Sequence, residues 1–351
     1  MRACDHAPDG ATNNAWVYGE TVAARFDHGN GCADAPGGEY GGLYVRETFN
    51  TAGNVPGGAA AYWTLIAPSG TTISAITYAR HLRTYSDATW RAELRADDVV
   101  LEGCQVPPLD EWCHLGSTGG SSRTFSNLAA NVLRVGARCA PSSPETTCTD
   151  GSTIHSVTAV VYGATVTIND PEAPTVGSLG GTLTDGGWLR GTRTATFSAG
   201  DETGIAQLEL VRDGHAVRTD ARTCDPTRPA PCANPGATTF AAWEPIDTAT
   251  WVDGTYTLTG RARDAAVNPA AGAPVTVRVD NNAPLPPATL TADTGSGWSS
   301  QADRTLNWTI PDGEVAPVTA ASVRLCRQGA GCTTSAAGSP TSTTVRLPDP
   351  G

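Results

Sequence analysis

The sequence contains no lysine, so all 23 of its basic side chains are arginines, and these are scattered rather than clustered. They are outnumbered by 35 acidic side chains, which gives the 351-residue chain a formal net charge of −12. Binding to a phosphate backbone requires a basic face or stripe on the protein. The absence of one argues against a nucleic-acid partner, and the negative charge serves mainly to keep a surface protein in solution.

Long apolar runs are equally scarce. No stretch approaches the ~20 apolar residues of a transmembrane helix, and residues 1–10 lack the apolar core of a signal peptide. Runs rich in Leu, Glu and Lys, typical of helical proteins, are missing too, whereas 39 Gly and 25 Pro fit short strands joined by many turns. The composition therefore predicts an all-β protein without a membrane-spanning segment in this chain.

Motifs of common enzyme classes are also absent, since the sequence has no GxSxG elbow, HExxH pair, P-loop or strand-associated GxGxxG. The six histidines are dispersed, without a nearby serine or cysteine pattern. A glycoside hydrolase needs two carboxylates at a defined separation, for which the candidates are Glu93, Asp97, Asp98, Asp110 and Glu111. Asp97-Asp98 is more simply a hairpin turn, so we expect no enzymatic activity and keep polysaccharide hydrolysis as an alternative hypothesis.

Ten cysteines without a zinc or redox motif indicate an oxidising compartment. A metal site is disfavoured because no CxxC pair and no pair of histidines with ligand spacing accompanies them. The spacing alone leaves several connectivities open, but nearest-neighbour pairing uses every thiol and keeps each closed loop inside one domain. The favoured pairs are Cys4–Cys32, Cys104–Cys113, Cys139–Cys148, Cys224–Cys232 and Cys326–Cys332. Each would stabilise its domain by about 2–3 kcal/mol, and we expect an export signal upstream of this chain.

Residues 253–284 show the strand pattern most clearly. Apolar and polar side chains alternate over residues 255–262 and again over residues 275–280. Two amphipathic strands of this kind need another sheet to cover their apolar faces, which is the logic of a β-sandwich. The Asp-Gly-x-Tyr motif that ends at Tyr256 resembles the tyrosine corner of immunoglobulin-like (Ig-like) domains.

Two proline-containing junctions, residues 169–174 and 280–284, divide the chain into three units, and their prolines stand 110 residues apart. Phe197 and Trp308 repeat at 111 residues, so the second and third units form an internal repeat of domain size. We predict a jelly-roll-like β-sandwich over residues 1–170, an Ig-like Greek-key sandwich over 171–283 and a truncated Ig-like sandwich over 284–351. The last unit lacks counterparts of its final two strands, so we expect the natural protein to continue.

The order of short motifs in the second and third units carries a family resemblance. In the second unit these motifs are Gly-Trp-x-x-Gly at 187–191, Ala-Gly-Asp-x-x-Gly-Ile at 199–205, Asp-Gly-x-Tyr at 253–256 and Ala-x-Asp-Ala-Ala-x-Asn at 262–268. The pattern resembles the tandem Ig-like domains of large secreted or cell-surface actinobacterial proteins, in which an N-terminal β-rich domain precedes the repeats. The resemblance implies an extracellular or envelope setting and names no reaction.

Aromatic side chains concentrate in the first unit, which holds 14 of the 22. β-Sandwich lectins hold sugars by packing aromatic rings on C–H faces while polar neighbours satisfy the hydroxyl groups. Loops rich in Arg, His and Asp, including Arg83 and His114, adjoin three of these aromatics. The candidate ligand-binding residues are Tyr85, Trp90, Arg91, Trp112, His81 and Asp87. An ordinary core with a few solvent-exposed Trp edges explains the same pattern equally well.

Oxygen-bearing side chains near the end of the second unit suggest calcium as a possible cofactor. The candidate ligands are Asp201, Glu202, Asp264, Asn268 and Asp280. Hard oxygen donors of this type suit Ca²⁺, and the junctions resemble the calcium-rigidified linkers of cadherin-like arrays. The competing and favoured interpretation is that Asp and Asn simply form turns and cap strands.

Taken together, the sequence predicts a secreted or cell-surface module with a non-enzymatic function. We expect recognition or adhesion through the first unit, with a glycan as the first expected ligand and a surface protein as the second. The Ig-like repeats would then act as spacers. The alternative hypothesis is a purely structural stalk or surface-layer spacer.

Overall fold

The structure is a computed structural model that describes residues 1–4, 13–32, 41–48, 54–85, 89–107, 110–141, 146–149, 154–232, 239–293, 302–327, 329 and 331–347. Within these ranges the regular structure consists of 27 β-strands and two 3₁₀ helices, Thr182–Thr184 and Thr248–Thr250, with no α-helix. No helix in the described ranges is long and apolar enough to cross a membrane. The prediction of an all-β protein is confirmed.

Thirteen strands form the first unit. They are β1 (Arg2–Ala3), β2 (Val17–Glu20), β3 (Phe26–Gly31), β4 (Gly42–Glu47), β5 (Val55–Pro56), β6 (Ala60–Ile66), β7 (Thr72–Tyr85), β8 (Trp90–Ala96), β9 (Val99–Cys104), β10 (Trp112–Ala130), β11 (Val132–Cys139), β12 (Thr147–Cys148) and β13 (Val157–Asn169). Two five-stranded antiparallel layers contain most of them, with β1 added to β13 and the short pair β5–β12 beside them.

The strand order identifies the first unit as a jelly roll. One layer has the order β10-β7-β13-β4-β3 and the other the order β2-β6-β11-β8-β9. Without the edge strands β2 and β3, eight strands remain, and they are distributed between two four-stranded sheets as two Greek keys require. The predicted jelly-roll-like sandwich is confirmed.

A single hydrophobic core fills the space between these two sheets. Strand residues that face inward are almost completely buried, as Leu43, Leu82 and Ile76 show in one sheet and Leu65 and Leu94 in the other. Alternate residues along each strand face outward, because side chains on a strand point to opposite faces in turn. The outer faces of the two sheets therefore carry the side chains that do not enter this core.

Nine strands form the second unit. They are β14 (Thr175–Val176), β15 (Trp188–Leu189), β16 (Thr192–Gly200), β17 (Ile205–Arg212), β18 (His215–Ala221), β19 (Thr239–Asp247), β20 (Gly254–Asp264), β21 (Pro269–Ala271) and β22 (Val275–Val279). One sheet has the order β14-β16-β19, and the other has the order β15-β22-β20-β17-β18, with β21 paired to β20. A separate core that includes Phe197, Leu208 and Leu258 lies between them.

This arrangement is an Ig-like Greek-key sandwich, as predicted. The B–E, C–F and F–G pairs of such a domain correspond to β16–β19, β17–β20 and β20–β22. The hydroxyl of Tyr256, near the start of β20, donates a hydrogen bond to the backbone carbonyl of Val252, four residues upstream. That contact is the tyrosine corner that the Asp-Gly-x-Tyr motif predicted.

The third unit contains β23 (Thr289–Ala292), β24 (Asp303–Thr309), β25 (Ser322–Cys326), β26 (Cys332–Ala336) and β27 (Ser342–Arg346). Its sheets have the orders β23-β24-β27 and β25-β26. The first sheet repeats β14-β16-β19 of the second unit, whereas strands equivalent to β20 and β22 are absent from the described part of this unit. Trp308 is 9% exposed, and its indole N–H donates to the carbonyl of Pro340 at 2.6 Å. The domain boundaries at 170/171 and 283/284 stay predictions.

Five disulfides use all ten cysteines, and they join the nearest neighbours that the spacing favours. The pairs are Cys4–Cys32, Cys104–Cys113, Cys139–Cys148, Cys224–Cys232 and Cys326–Cys332. Each closes a loop within one predicted domain. A chain that depends on this many cross-links is suited to an oxidising compartment.

The first and second units touch at the loop closed by Cys224–Cys232. The backbone N–H of Arg2 donates to the carbonyl of Pro226 at 2.7 Å. The side-chain amide of Asn14 donates to the hydroxyl of Thr227 at 2.8 Å. The junction between these two units is thus bonded on the side of the disulfide loop as well as through the linker.

Candidate functional site

Two of the predicted ligand-binding aromatics meet at the edge of the β10-β7-β13-β4-β3 sheet. Trp112 opens β10 and stands directly opposite Tyr85, the last residue of β7. His114 lies two residues further along β10, on the same face as Trp112, because side chains alternate along a strand. Trp112, Tyr85 and His114 together form a surface that we call the aromatic platform.

The rings of the platform contact one another in defined orientations. The Tyr85 and Trp112 rings lie 4.3 Å apart between centroids at an interplanar angle of 61°, and the Trp112 and His114 rings lie 5.3 Å apart at 52°. Trp112 remains 46% exposed. The Tyr85–Trp112 contact is edge-to-face and the Trp112–His114 contact is tilted, so the Trp112 indole is packed against two rings while it faces solvent.

The backbone beneath the platform is anchored on both strands. Cys113, between Trp112 and His114, forms the disulfide with Cys104 of the opposite sheet. The N–H of Tyr85 donates to the carbonyl of Ser156 at 2.9 Å. The backbone on both sides of the platform is therefore held by a covalent cross-link and a hydrogen bond.

Charged side chains continue from the platform across the same face of the sheet. Opposite His114 stands Arg83, followed across the strands by Thr158, Arg46 and Asp27. The Arg46 guanidinium donates to Asp27 Oδ2 at 2.8 Å through Nε. Hydrogen-bonding groups thus lie beside the exposed rings, as recognition of a hydroxylated ligand requires.

The protonation state of His114 follows from its surroundings. Partial burial lowers the pKa of the His114 imidazole, and the positive charge of Arg83 lowers it further. An ordinary histidine has a pKa of about 6.5, so His114 is neutral at pH 7. A neutral ring adds to the apolar surface of the platform without a charge to desolvate.

A further aromatic side chain on this face was not among the predicted site residues. Tyr44 of β4 covers Gly29 of β3, where a Cβ would overlap the tyrosine ring. The Arg46 guanidinium carbon lies 5.3 Å from the centre of the same ring. Only the pairing register of β3 and β4 brings Gly29 under the Tyr44 ring, so the sequence pattern did not single out this contact.

The other predicted ligand-binding residues in the described ranges add no exposed surface to the platform. Trp90 has no exposed surface and donates from its indole nitrogen to the carbonyl of Thr149 at 2.8 Å, so it is a core residue. Arg91 is on β8 of the other sheet, where it donates to Gln105 Oε1 at 2.6 Å. His81 lies on the same face of β7 as Tyr85, with its ring 5.5 Å from the His114 ring, but it is only 7% exposed. Asp87 lies outside the described residues.

The carboxylates considered for a hydrolase are also dispersed by the fold. Glu93 is completely buried, accepts a hydrogen bond from the Tyr62 hydroxyl at 2.6 Å and pairs with Arg95 at 3.3 Å. Asp97 forms the β8–β9 turn with positive φ and accepts from the backbone N–H of Val132 at 2.9 Å. Asp110 and Glu111 are exposed and precede β10. Glu93 and Asp97 thus have structural contacts, and hydrolysis stays an untested alternative.

Four of the five candidate calcium ligands lie at one end of the second unit. Asp201 and Glu202 occupy the loop between β16 and β17, and Asp264 ends β20, where it accepts from the backbone N–H of Asn268 at 2.8 Å. The fifth, Asp280, follows β22 at the opposite end of the antiparallel pair β20–β22. Asp280 is therefore not part of the group.

Asp170, which the sequence analysis did not select, takes the place predicted for Asp280. It ends the first unit at the linker, and its carboxylate lies beside those of Asp201 and Glu202. The 110-residue repeat makes Asp170 the counterpart of Asp280 at the preceding junction. That spacing was the available signal, because equivalent residues of consecutive repeats occupy equivalent junctions.

Comparison with known proteins gives no family for this chain. No protein-family profile matches the sequence, and no curated protein matches it. Among solved structures, the fibronectin(III)-like modules of CbhA from Clostridium thermocellum are similar at 16% identity, with 67% of this chain and 93% of that chain covered and a TM-score of 0.22. The FN1–FN3 domains of chicken CNTN1 are similar at 12% identity, with 87% of each chain covered and a TM-score of 0.23.

An enzyme also appears among the similar structures. The chain is 11% identical to a GH2 beta-galacturonidase from Eisenbergiella tayi, with 76% of this chain but only 44% of the enzyme covered and a TM-score of 0.21. Similarities this weak provide no argument about function. The class defined here is a modular protein of β-sandwiches with internal disulfides and Ig-like repeats, and it rests on the strand topology and the disulfides of the chain itself.

Proposed function

We propose that this chain is a non-enzymatic extracellular recognition module whose first unit binds glycan at the aromatic platform. The Ig-like units then act as spacers that hold the jelly roll away from its point of attachment. The observation that carries the proposal is the 46% exposure of Trp112, an indole held against Tyr85 and His114 on an anchored strand. Sugar rings pack their C–H faces on such surfaces, and Arg83 is placed to bond hydroxyl or carboxyl groups.

The cost of leaving the platform exposed supports a binding role. A Trp side chain has one of the largest apolar areas of any residue, and burying apolar surface stabilises a protein by about 25 cal/mol per Å². Trp90 on β8 is completely buried and contributes all of that stabilisation, whereas the exposed part of Trp112 contributes none. Exposed aromatic rings beside polar groups are typical of ligand surfaces.

A glycan array probed with the full chain tests the proposal. We expect binding to a limited group of glycans, followed by at least a tenfold loss of affinity in Trp112→Ala when the strongest glycan is titrated by calorimetry. Val99→Ala is the matched control, because Val99 is 64% exposed on the other sheet and contacts none of the platform. Since His114 is already neutral, the affinity is expected to stay constant between pH 7 and pH 8.

Two outcomes contradict the proposal. Absence of binding to every glycan on the array favours the purely structural spacer. Binding that is unchanged in Trp112→Ala and Tyr85→Ala places the glycan site elsewhere. Hydrolysis of a polysaccharide that is lost in Glu93→Gln but retained in Trp112→Ala supports the enzymatic alternative instead.

A further inference from the structure

Three carboxylates converge where the first unit joins the second. Asp170 comes from the linker, and Asp201 and Glu202 come from the loop between β16 and β17. One carboxylate oxygen from each side chain lies within 4.8 Å of the oxygens of the other two. Like charges at this separation repel strongly when water is largely excluded. The group therefore needs a positive charge, protons or solvent to be stable.

Solvent and hydrogen bonds do not fully compensate for the repulsion among these carboxylates. Asp201 is only 6% exposed, and its Oδ2 is buried without a hydrogen-bond partner. Glu202 Oε1 is also buried and unpartnered. A buried acceptor that is left unsatisfied destabilises the fold, and it does so more strongly when it is charged. The protein contacts around these two oxygens do not compensate for their burial.

The hydroxyl of Thr203 shows the same shortage of donors. Thr203 Oγ1 lies 2.6 Å from Asp201 Oδ1 and 2.9 Å from Asp170 Oδ2. A hydroxyl has one hydrogen to donate, so it cannot bond both carboxylates at once. One of these two close oxygen pairs consequently lacks a proton between its members.

A fourth carboxylate adds to the negative charge. Asp264 has no exposed surface, and it ends β20 at the same end of the second unit as Asp201 and Glu202. Among the described residues, no salt bridge joins any of these carboxylates to an arginine or histidine.

We propose that this junction binds one calcium ion through Asp170, Asp201 and Glu202. Calcium accepts six to eight oxygen ligands at about 2.3–2.6 Å in flexible geometry, with carboxylates, backbone carbonyls and waters all acceptable. Magnesium requires a near-ideal octahedron at about 2.0–2.1 Å and keeps several waters, which suits a set drawn from a linker and a loop less well. The ion satisfies the orphaned oxygens of Asp201 and Glu202 and neutralises their repulsion.

The bound ion also connects the two units mechanically. The first unit approaches the site at the turn that contains Gly70, where a Cβ would lie 3.2 Å from Glu202 Oε1. On the other side, Asn268 donates from its side-chain amide to the carbonyl of Glu172 at 2.8 Å. Calcium held between Asp170 and the β16–β17 loop therefore fixes the linker against the second unit.

Isothermal titration calorimetry with calcium chloride tests the site on the full chain after treatment with EDTA and removal of the chelator. We expect saturable binding of one ion per chain and a rise in the melting temperature of the second unit. Asp201→Asn and Glu202→Gln are each expected to weaken calcium binding at least tenfold. Asp185→Asn, which changes an exposed carboxylate of the same unit, is expected to leave it unchanged.

The design separates loss of the site from loss of the fold. Both site variants remove like-charge repulsion, so in EDTA their melting temperatures are expected to equal or exceed that of the unchanged chain. Absence of calcium heat and of a calcium-dependent melting shift in the unchanged chain overturns the proposal. Full calcium binding in an Asp201→Asn, Glu202→Gln double variant, or equal affinity for magnesium, also overturns it. Because the glycan test depends on Trp112, failure of one proposal is distinguishable from failure of the other.

Discussion

The side-chain amide of Asn268 lies 2.8 Å from the carbonyl oxygen of Glu172, although 96 residues separate them in the chain. The same amide nitrogen is 2.8 Å from Asp264 Oδ2 and 3.1 Å from the carbonyl of Asp170. One side chain thus joins the linker to the end of β20. The rigidity that the two prolines give to the linker is therefore reinforced by tertiary contacts.

Replacing this amide is expected to loosen the junction. Asn268→Ala removes the donor and leaves the carbonyl of Glu172 and the carboxylate of Asp264 without it, at a cost of about 1–3 kcal/mol. The second unit should melt at a lower temperature in calorimetry, and proteases should cut the linker faster. The control is Asn307→Ala on the exposed side of β24, for which no change is expected. Equal behaviour of the two variants contradicts the bridging role.

Trp90 and Trp112 were both predicted to bind ligand, but their replacement by alanine should destabilise the first unit to very different extents. Trp90 has no exposed surface, so Trp90→Ala creates a cavity and should destabilise the first unit by about 3–5 kcal/mol. Trp112→Ala removes a half-exposed ring and should cost about 1 kcal/mol or less. Chemical denaturation followed by tryptophan fluorescence measures both. Similar losses for the two variants show that Trp112 is part of the core.

A buried ion pair should make the first unit sensitive to acid. Arg80 donates to Glu102 through Nη2 at 2.6 Å and through Nε at 2.9 Å, and the Tyr78 hydroxyl donates to the same carboxylate. Burial alone raises the pKa of Glu102, but the bonds from Arg80 and Tyr78 and the nearby positive charge of Arg123 bring it below the ordinary value. The stability from this pair is fully present above about pH 4.3, the ordinary Glu pKa, and is lost as the pH falls through the lowered value.

Glu102→Gln tests that network directly. The substitution leaves Arg80 buried without its counter-charge, so we expect a loss of about 3–5 kcal/mol at pH 7. The loss should shrink as the pH falls through the lowered pKa of Glu102, where this side chain of the unchanged chain becomes protonated. Glu111→Gln serves as the control, because Glu111 is exposed. A pH-independent difference between Glu102→Gln and the unchanged chain would contradict the linkage.

The tyrosine corner should contribute a measurable share of the stability of the second unit. Tyr256→Phe deletes only the hydroxyl that bonds the carbonyl of Val252, and the ring can keep its edge contact with Trp251 at 5.2 Å. We expect a loss of about 1 kcal/mol in the free energy of unfolding measured with urea. Tyr85→Phe is the matched control in the first unit, and a smaller loss in Tyr256→Phe than in Tyr85→Phe argues against the corner.

In EDTA, the junction carboxylates should make the second unit less stable as the pH rises. The folded-state pKa values of Glu202 and Asp264 are raised, so the associated stability is present below the ordinary Asp and Glu values of about 4 and is lost as the pH rises through the raised values. Asp201→Asn removes one source of the shift, and its melting temperature should therefore exceed that of the unchanged chain more at pH 7 than at pH 5. Equal differences at both pH values rule out this coupling.

Much of the fold was determined by local sequence pattern. Alternating side chains defined strands, and turn-forming residues separated them, because the two faces of a strand experience different environments. Disulfides between cysteines a few residues apart are favoured, because a short loop closes at small entropic cost. Tyr256 was identified through a motif whose hydrogen bond, to Val252, is also local.

The composition of the candidate site depends on tertiary structure, which alternation and turn signals in the sequence do not reveal. Alternation shows that Trp90 and Trp112 each point to one side of a strand, but not which side another sheet covers. The pairing of β7 with β10 placed Trp112 beside Tyr85 on the outer face, whereas packing between the sheets buried Trp90. Burial depends on which strands become neighbours, and in a jelly roll those neighbours are distant in sequence.

Dependence on tertiary structure also explains why Asp280 was selected as a calcium ligand and Asp170 was not. Sequence proximity grouped Asp280 with Asp264, yet antiparallel pairing of β20 with β22 carries the two residues to opposite ends of the sheet. The eleven residues of β20 span roughly 35 Å at ~3.3 Å per residue. Asp170 lies at the linker where the chain begins the second unit, which is the end of that unit where Asp201 is found. Asp280 lies at the opposite end, where the chain leaves the unit. The sequence therefore determined which strands form and favoured the cysteine pairs that the structure shows, and the three-dimensional packing decided which side chains share a surface.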